Sequence, residues 1–228
     1  MKTESTTRRL LRDDENGDAR VGAFFMISAI LTVVMFISYA IAPAPDVGPA
    51  EGQLAPNLTG GILDAGVWEE GWSLYDNIDR DWEEGMPGQL ILIQFSDTDC
   101  PYCWNEGEMM SQMHDQYGAD VQFYTVAVSL SIPNHNADRG EVAAFKHKTN
   151  YDGCKSDQEN CQDRPGAVHS WPYIDDLDTS SLGTWGVPGT PFSLILYPDG
   201  VVAWNPLEHK NEEEIHQALP RLIQEMSA

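Results

Sequence analysis

The chain has 228 residues, 42% of them apolar and 21% charged, and its 13 Lys plus Arg against 36 Asp plus Glu leave a formal net charge of -23. That is core material for one domain of ordinary size, and it excludes a binder of nucleic-acid phosphates, which needs a basic footprint. Five basic residues (Lys2, Arg8, Arg9, Arg12, Arg20) lie beside five acidic ones in the first 20 positions and residues 21–42 carry no charge, so the whole excess belongs to residues 43–228.

Val21 to Ala42 reads VGAFFMISAILTVVMFISYAIA. As a helix at roughly 1.5 Å per residue, these 22 residues would rise about 33 Å, enough to cross a hydrocarbon layer of about 30 Å. The scattered Ser, Thr and Tyr form no polar stripe of the kind a buried core helix shows. A cleaved signal peptide is the rival, since Ala40-Ile41-Ala42 has the small-x-small form of a cleavage site. The apolar run exceeds a signal core, and Pro43 would follow the scissile bond, so an uncleaved signal anchor is expected. Five Lys or Arg precede the span and none follows until Arg80, which predicts a cytoplasmic tail (1–20) and an extracytoplasmic remainder on the cell membrane. Residues 43–56, PAPDVGPAEGQLAP, read as a Pro/Gly-rich linker, with the folded domain over 57–228.

Gln89 to Ser96 (QLILIQFS) predicts a buried central strand, and Pro101 to Tyr117 a helix with Gly118 as its C-cap. Asp120 to Leu130 alternates as a second strand, and Arg139 to Thr149 predicts a helix with Val142, Ala143 and Phe145 on its apolar face. After a long polar loop, Phe192 to Tyr197 and Val201 to Trp204 predict a hairpin about Pro198-Asp199-Gly200. Asn211 begins a last helix, with Glu214 completing a capping box and Pro220 expected to kink or shorten it. Val67 to Trp82 contains three Trp and shows no assignable pattern. Strand, helix, strand, helix, hairpin, helix predicts an α/β fold with a mixed sheet.

Cys100-Pro101-Tyr102-Cys103 stands where the first strand hands over to the first helix. There the first sulfur meets unpaired N–H groups and the positive end of the helix dipole, which stabilise a thiolate. Cys103 lies one turn on and within reach to close a disulfide, and Pro101 suits an early helical position that needs no N–H. The chemistry expected is thiol–disulfide exchange, with attack by Cys100, a mixed disulfide, and resolution by Cys103.

FSDTDCPYC, WGVPGTPF and FSLILYPDGVVAW together resemble the thioredoxin-like superfamily, over about residues 57–226, most of all the membrane-anchored thiol–disulfide oxidoreductases of the TlpA/ResA type. FSDTDCPYC is also similar to the DsbA-type oxidases, and CPYC to the glutaredoxins. The resemblance implies a central mixed β-sheet flanked by helices and an oxidoreductase acting on extracytoplasmic protein thiols and disulfides, with a further redox partner that resets it. It implies Cys100 as nucleophile, Cys103 as resolving thiol, Pro191 as a cis-proline beside them, and Thr190 presenting its backbone to a substrate strand, with Pro101 and Tyr102 completing the substrate-binding face. Where many relatives carry Trp before the first Cys this chain has Asp99, with Asp97 close by, and two carboxylates there oppose the helix dipole.

Cys154 and Cys161, in YDGCKSDQENCQDRPG, are expected to form a structural disulfide; a second redox relay is the functional rival, and C-x6-C fits zinc spacing poorly. A copper-binding chaperone is the alternative function, with Cu(I) on Cys100 and Cys103 helped by Met109, Met110, Met113 or His114, although helical spacing makes those residues core. A peroxiredoxin-type PxxxTxxC arrangement is missing. His135, His147 and His169 show no metal-ligand spacing, and no metal or other cofactor is expected. Asn57-Leu58-Thr59 matches a glycosylation sequon.

Overall fold

A computed structural model describes residues 21–35, 46–130, 135–209 and 212–227. Residues 1–44 and 45–228 are two separate compact units. In the first, residues 21–35 form a helix, α1, whose Phe24, Phe25, Ile30 and Met35 side chains are exposed. No helix among the described residues is long and apolar enough to cross a membrane. The expected cytoplasmic tail and residues 36–42 of the expected span lie outside the described residues.

The second unit begins with β1 (Thr59–Asp64), β2 (Val67–Ser73), β3 (Leu90–Ser96), α2 (Pro101–Tyr117), β4 (Val121–Val128) and α3 (Arg139–His147). A small ladder of β5 (Asp152–Gly153) and β6 (Glu159–Asn160) brackets the single turn α4 (Cys154–Asp157). β7 (Tyr173–Asp176), β8 (Phe192–Leu196), β9 (Val202–Trp204), α5 (Pro206–His209) and α6 (Ile215–Met226) complete it. Seven strands form one mixed sheet in the order β2-β1-β7-β4-β3-β8-β9.

β3 is central because all seven of its residues are buried, as an apolar run covered on both faces demands. It pairs parallel with β4 and antiparallel with β8. Its pleat divides the core: Leu90 and Leu92 face one cluster with Met110, Phe145 and Leu219, while Ile91, Ile93 and Phe95 face the other with Leu58, Leu74 and Trp185.

Several sequence expectations need correction. Residues 46–56 are part of the domain and not a linker: Val202 donates to the Gln53 carbonyl (2.8 Å), Gly52 to the Val202 carbonyl (2.9 Å), and Ala55 is fully buried. Pro and Gly there make a turn, with Gly52 at φ +80, that folds the chain back onto β9, a partner some 150 residues away. The unassigned Trp-rich stretch forms β2, paired with β1 through a two-residue turn at Ala65 and Gly66, both at positive φ. β1 can lie against β7 because residue 60 is Gly, where a Cβ would collide with the Asp175 carbonyl.

Helix ends also differ. Gly118 caps α2 in a right-handed conformation, and α3 stops at His147, one residue before left-handed Lys148. Asn211 lies outside the described residues; the helix begins at Ile215, with Glu214 as N-cap and Gln217 as its box partner. α6 continues through Pro220, held by burial of Ile215, Ala218, Leu219 and Leu222.

Candidate functional site

β3 delivers the chain at Ser96, and Asp97-Thr98-Asp99 turns it into α2 with Cys100 as N-cap and Pro101 at the first helical position. The Cys103 N–H donates to Cys100 Sγ at 3.3 Å, and the Cys100 thiol reaches the Thr190 carbonyl at 3.3 Å. The Thr190–Pro191 bond is cis, as the resemblance implied. Both thiols are free and buried, Cys100 at the margin and Cys103 deeper, while Tyr102 is 75% exposed beside them. Cys100, Pro101, Tyr102, Cys103, Thr190 and Pro191 therefore share one site, assembled from the β3–α2 junction and the start of β8.

The two sulfurs are electrostatically unequal. The hydrogen bond from the Cys103 thiol, outweighing burial and helped by backbone N–H groups, lowers the Cys100 pKa to about 6. Burial first, then the neighbouring Cys100 sulfur, pushes the Cys103 pKa up. The two carboxylates before Cys100 do not reverse this. Asp97 accepts from the backbone N–H groups of Asp99 (2.9 Å) and Leu130 (2.7 Å), and Asp99 accepts from Ser156 N–H (2.7 Å) and faces His135 (2.6 Å). Each is engaged away from the sulfur, although burial raises the pKa of both.

Sequence reasoning missed Glu106, one turn beyond Cys103 on α2. Burial raises its pKa to about 7, against the hydrogen bond it accepts from Gln94 Nε2 at 2.9 Å. Gln94 is itself oriented: Trp171 Nε1 donates to Thr125 Oγ1 (2.9 Å), and the Thr125 hydroxyl donates to Gln94 Oε1 (3.3 Å). A glutamine inside QLILIQFS was the available signal, since a polar residue in a buried strand needs a partner. Glu106, Pro191, Phe192, Trp204 and Ile215 line one open cavity beside the cis-proline.

Cys154 and Cys161 form the expected disulfide, with both residues fully buried in the same core cluster as Trp104 and Phe145. Their loop braces the turn that leads into the CxxC pair, as Lys155 N–H donates to the Thr98 carbonyl at 3.0 Å and Ser156 N–H to Asp99 Oδ1 at 2.7 Å. The soft ligands offered for Cu(I) are dispersed: Met110 and Met113 are core, and His114 packs on Phe123 and Trp171. His169 is buried and bonded to Tyr173 Oη at 2.6 Å. His135, set aside on spacing, stands instead beside Asp99, Glu141 and Asp157.

No protein-family description and no curated protein matches the chain. Solved structures do. The thioredoxin domain of a thiol-disulfide oxidoreductase from Bacteroides vulgatus aligns at 16% identity over 77% of this chain and 96% of that one, with a TM-score of 0.47. A thiol:disulfide interchange protein from Bacteroides sp. aligns at 18% identity over 77% and 88%, with a TM-score of 0.46. A reduced 2-Cys peroxiredoxin from Plasmodium vivax aligns at 14% identity over 76% of this chain and 94% of that one, with a TM-score of 0.51. The fold is thioredoxin-like. In this thioredoxin-like domain the CxxC pair sits at the C-terminal edge of the central parallel strand, and cis-Pro191 enters the neighbouring antiparallel strand β8.

Proposed function

We propose that the chain is a membrane-anchored thiol–disulfide oxidoreductase whose thioredoxin-like domain exchanges disulfides with extracytoplasmic proteins. The observation that carries the reading is the unequal sulfur pair: Cys100 with a lowered pKa at the rim, hydrogen-bonded to a buried Cys103 and facing the Thr190 carbonyl. The thiolate, not the thiol, attacks disulfides.

In the reducing direction, Cys100 Sγ⁻ attacks one sulfur of a client disulfide, and the other client sulfur leaves as thiolate. Cys103 then loses its proton and attacks Cys100 Sγ in the mixed disulfide, releasing the second client thiolate and leaving a Cys100–Cys103 disulfide. Two electrons pass to the client; the reverse sequence oxidises it. The buried Cys103 needs a base for its step, and Glu106, with a pKa of about 7 one turn along the same helix, supplies one. Tyr102 and the Thr190 backbone offer an exposed ring and an extended edge for the client chain.

The anchor rests on the 22 uncharged, mostly apolar residues from Val21 to Ala42 and the basic residues before them, with the exposed apolar side chains of α1 in support. Two experiments test the reading. Cys100→Ser must abolish reduction of a model protein disulfide, and a wild type no faster than that variant sinks the activity. An alkaline phosphatase fusion at the C-terminus must be active outside the membrane; an inactive fusion overturns the topology.

A further inference from the structure

We infer that Asp99, His135 and Glu141 form a binding site for one divalent transition cation of the Zn2+ or Mn2+ class, directly behind the redox pair. His135 Nε2 lies 2.6 Å from Asp99 Oδ2 and 3.3 Å from Glu141 Oε2. One donor atom from each of the three residues falls within 4.8 Å of the others. Neighbouring ligands on one cation at about 2.1 Å are separated by roughly 3.0–3.4 Å, so modest side-chain rotation closes the set. The three come from three elements: the turn after β3, the loop before α3, and the first turn of α3.

Three observations point to a cation rather than a self-contained network. First, the ring is oriented as a metal-binding histidine is. His135 Nδ1 faces Asp157 Oδ1 at 3.2 Å, an acceptor that can hold the N–H on that nitrogen, while Nε2 is directed at Asp99 Oδ2 and Glu141 Oε2. A proton on Nε2 bridges these groups as they stand, and a cation taking its place would be held by the same three atoms.

Second, buried oxygens are left over. Glu141 is 1% exposed, and its carboxylate has the Thr98 hydroxyl in reach, but neither Glu141 Oε1 nor Thr98 Oγ1 completes a well-aligned hydrogen bond among the described residues. A carboxylate buried with an idle oxygen is costly, and a cation held through both Glu141 oxygens would remove that cost.

Third, the charge does not balance. Asp99, Glu141 and Asp157 converge on one imidazole, buried Asp97 lies just upstream, and no Lys or Arg among the described residues pairs with the three carboxylates. Even a protonated His135 leaves an excess of negative charge. One nitrogen with two carboxylates and room for water suits Zn2+ or Mn2+ and suits the harder Mg2+ less.

The test uses the full-length chain in detergent with Cys100 and Cys103 oxidised to the disulfide, so that no thiolate competes for metal. This keeps it independent of the proposed redox activity. Isothermal titration with ZnCl2 and MnCl2 should show one saturable equivalent for at least one of them, with MgCl2 at least tenfold weaker. Glu141→Gln and His135→Gln should each weaken that binding tenfold or more. Asp157→Asn, at a side chain 63% exposed, keeps the fold safe and should still cost about tenfold through the His135 orientation. No saturable binding by the wild type, or a loss below tenfold in any folded variant of His135 or Glu141, overturns the site.

Discussion

The Cys100 thiol donates to the Thr190 carbonyl at 3.3 Å, across 90 positions of sequence. This contact joins the N-terminus of α2 to the entry of β8 and defines the mouth of the site. With it stand two sulfurs of opposite electrostatic bias, one at the rim and one inside.

The first prediction concerns pH. Cys100 is depressed from 9.0 to about 6 in the folded, reduced chain, so the stability it contributes is fully present above pH 9 and is lost as pH falls through about 6. The disulfide form does not titrate, and the reduced form therefore gains on it as pH rises from about 6 to 9. Thiolate absorbance at 240 nm should titrate with a midpoint near 6. Cys103→Ala, which removes the largest cause of the shift, should return that midpoint toward the ordinary thiol range; an unmoved midpoint rejects the thiol–thiol hydrogen bond as its source.

Glu106→Gln should separate the two chemical steps. Attack by Cys100 on a client disulfide should change little, whereas release of the second client thiol should slow on the order of 100-fold, the usual size of a lost general base. In the wild type that release should rise with pH through about 7, and the variant should lose this dependence. Rapid-quench single turnovers read both steps, and equal slowing of both would exclude Glu106 as the base for Cys103.

Replacing Cys154 and Cys161 together with Ser should destabilise the chain by about 2–3 kcal/mol on the loop-entropy argument, measured by chemical denaturation of the oxidised protein. The same change frees Lys155 and Ser156, whose positive φ angles are held between the two half-cystines, so the bonds to Thr98 and Asp99 should loosen. Amide exchange at Lys155 and Ser156 reports this directly, and unchanged protection there would show that the bridge does not hold the turn.

Arg164 is a stability determinant. It is fully buried, donates to the carbonyls of Phe145 (2.9 Å), Pro165 (2.9 Å) and Ala167 (2.8 Å), and lies so close to α2 that a Cβ at Gly107 would touch it. Arg164→Met should cost about 2–4 kcal/mol by orphaning those carbonyls, with the Cys100 titration unchanged. A melting temperature equal to wild type would refute it.

The chemistry of residues 100–103 was legible because it is local: a strand pattern, a CxxC and a proline suited to a first helical turn lie in consecutive positions. β3, β4 and the β8–β9 hairpin were legible for the same reason, since their apolar runs and turn residues declare themselves within a few residues. β1, β2 and β7 were not. Gly60 and Gly61 weaken β1, the glutamates of β2 are exposed, and β7 has four residues; β1 and β7 are held by pairing with strands far along the chain, and β2 in turn by its hairpin with β1.

The uncharged run at residues 21–42, the acidity of the rest of the chain and the CxxC at a helix start follow from composition and spacing, because hydropathy, charge and the N-cap effect act over short stretches of chain. The hydrogen bond from Cys103 that lowers the Cys100 pKa, the burial of Glu106 against Gln94, the contacts of the Cys154–Cys161 loop with Thr98 and Asp99 and the meeting of His135 with Asp99 and Glu141 came only with the tertiary structure. Each depends on burial and on distances between residues from different elements, and a pKa or a ligand set responds to those quantities rather than to position along the chain.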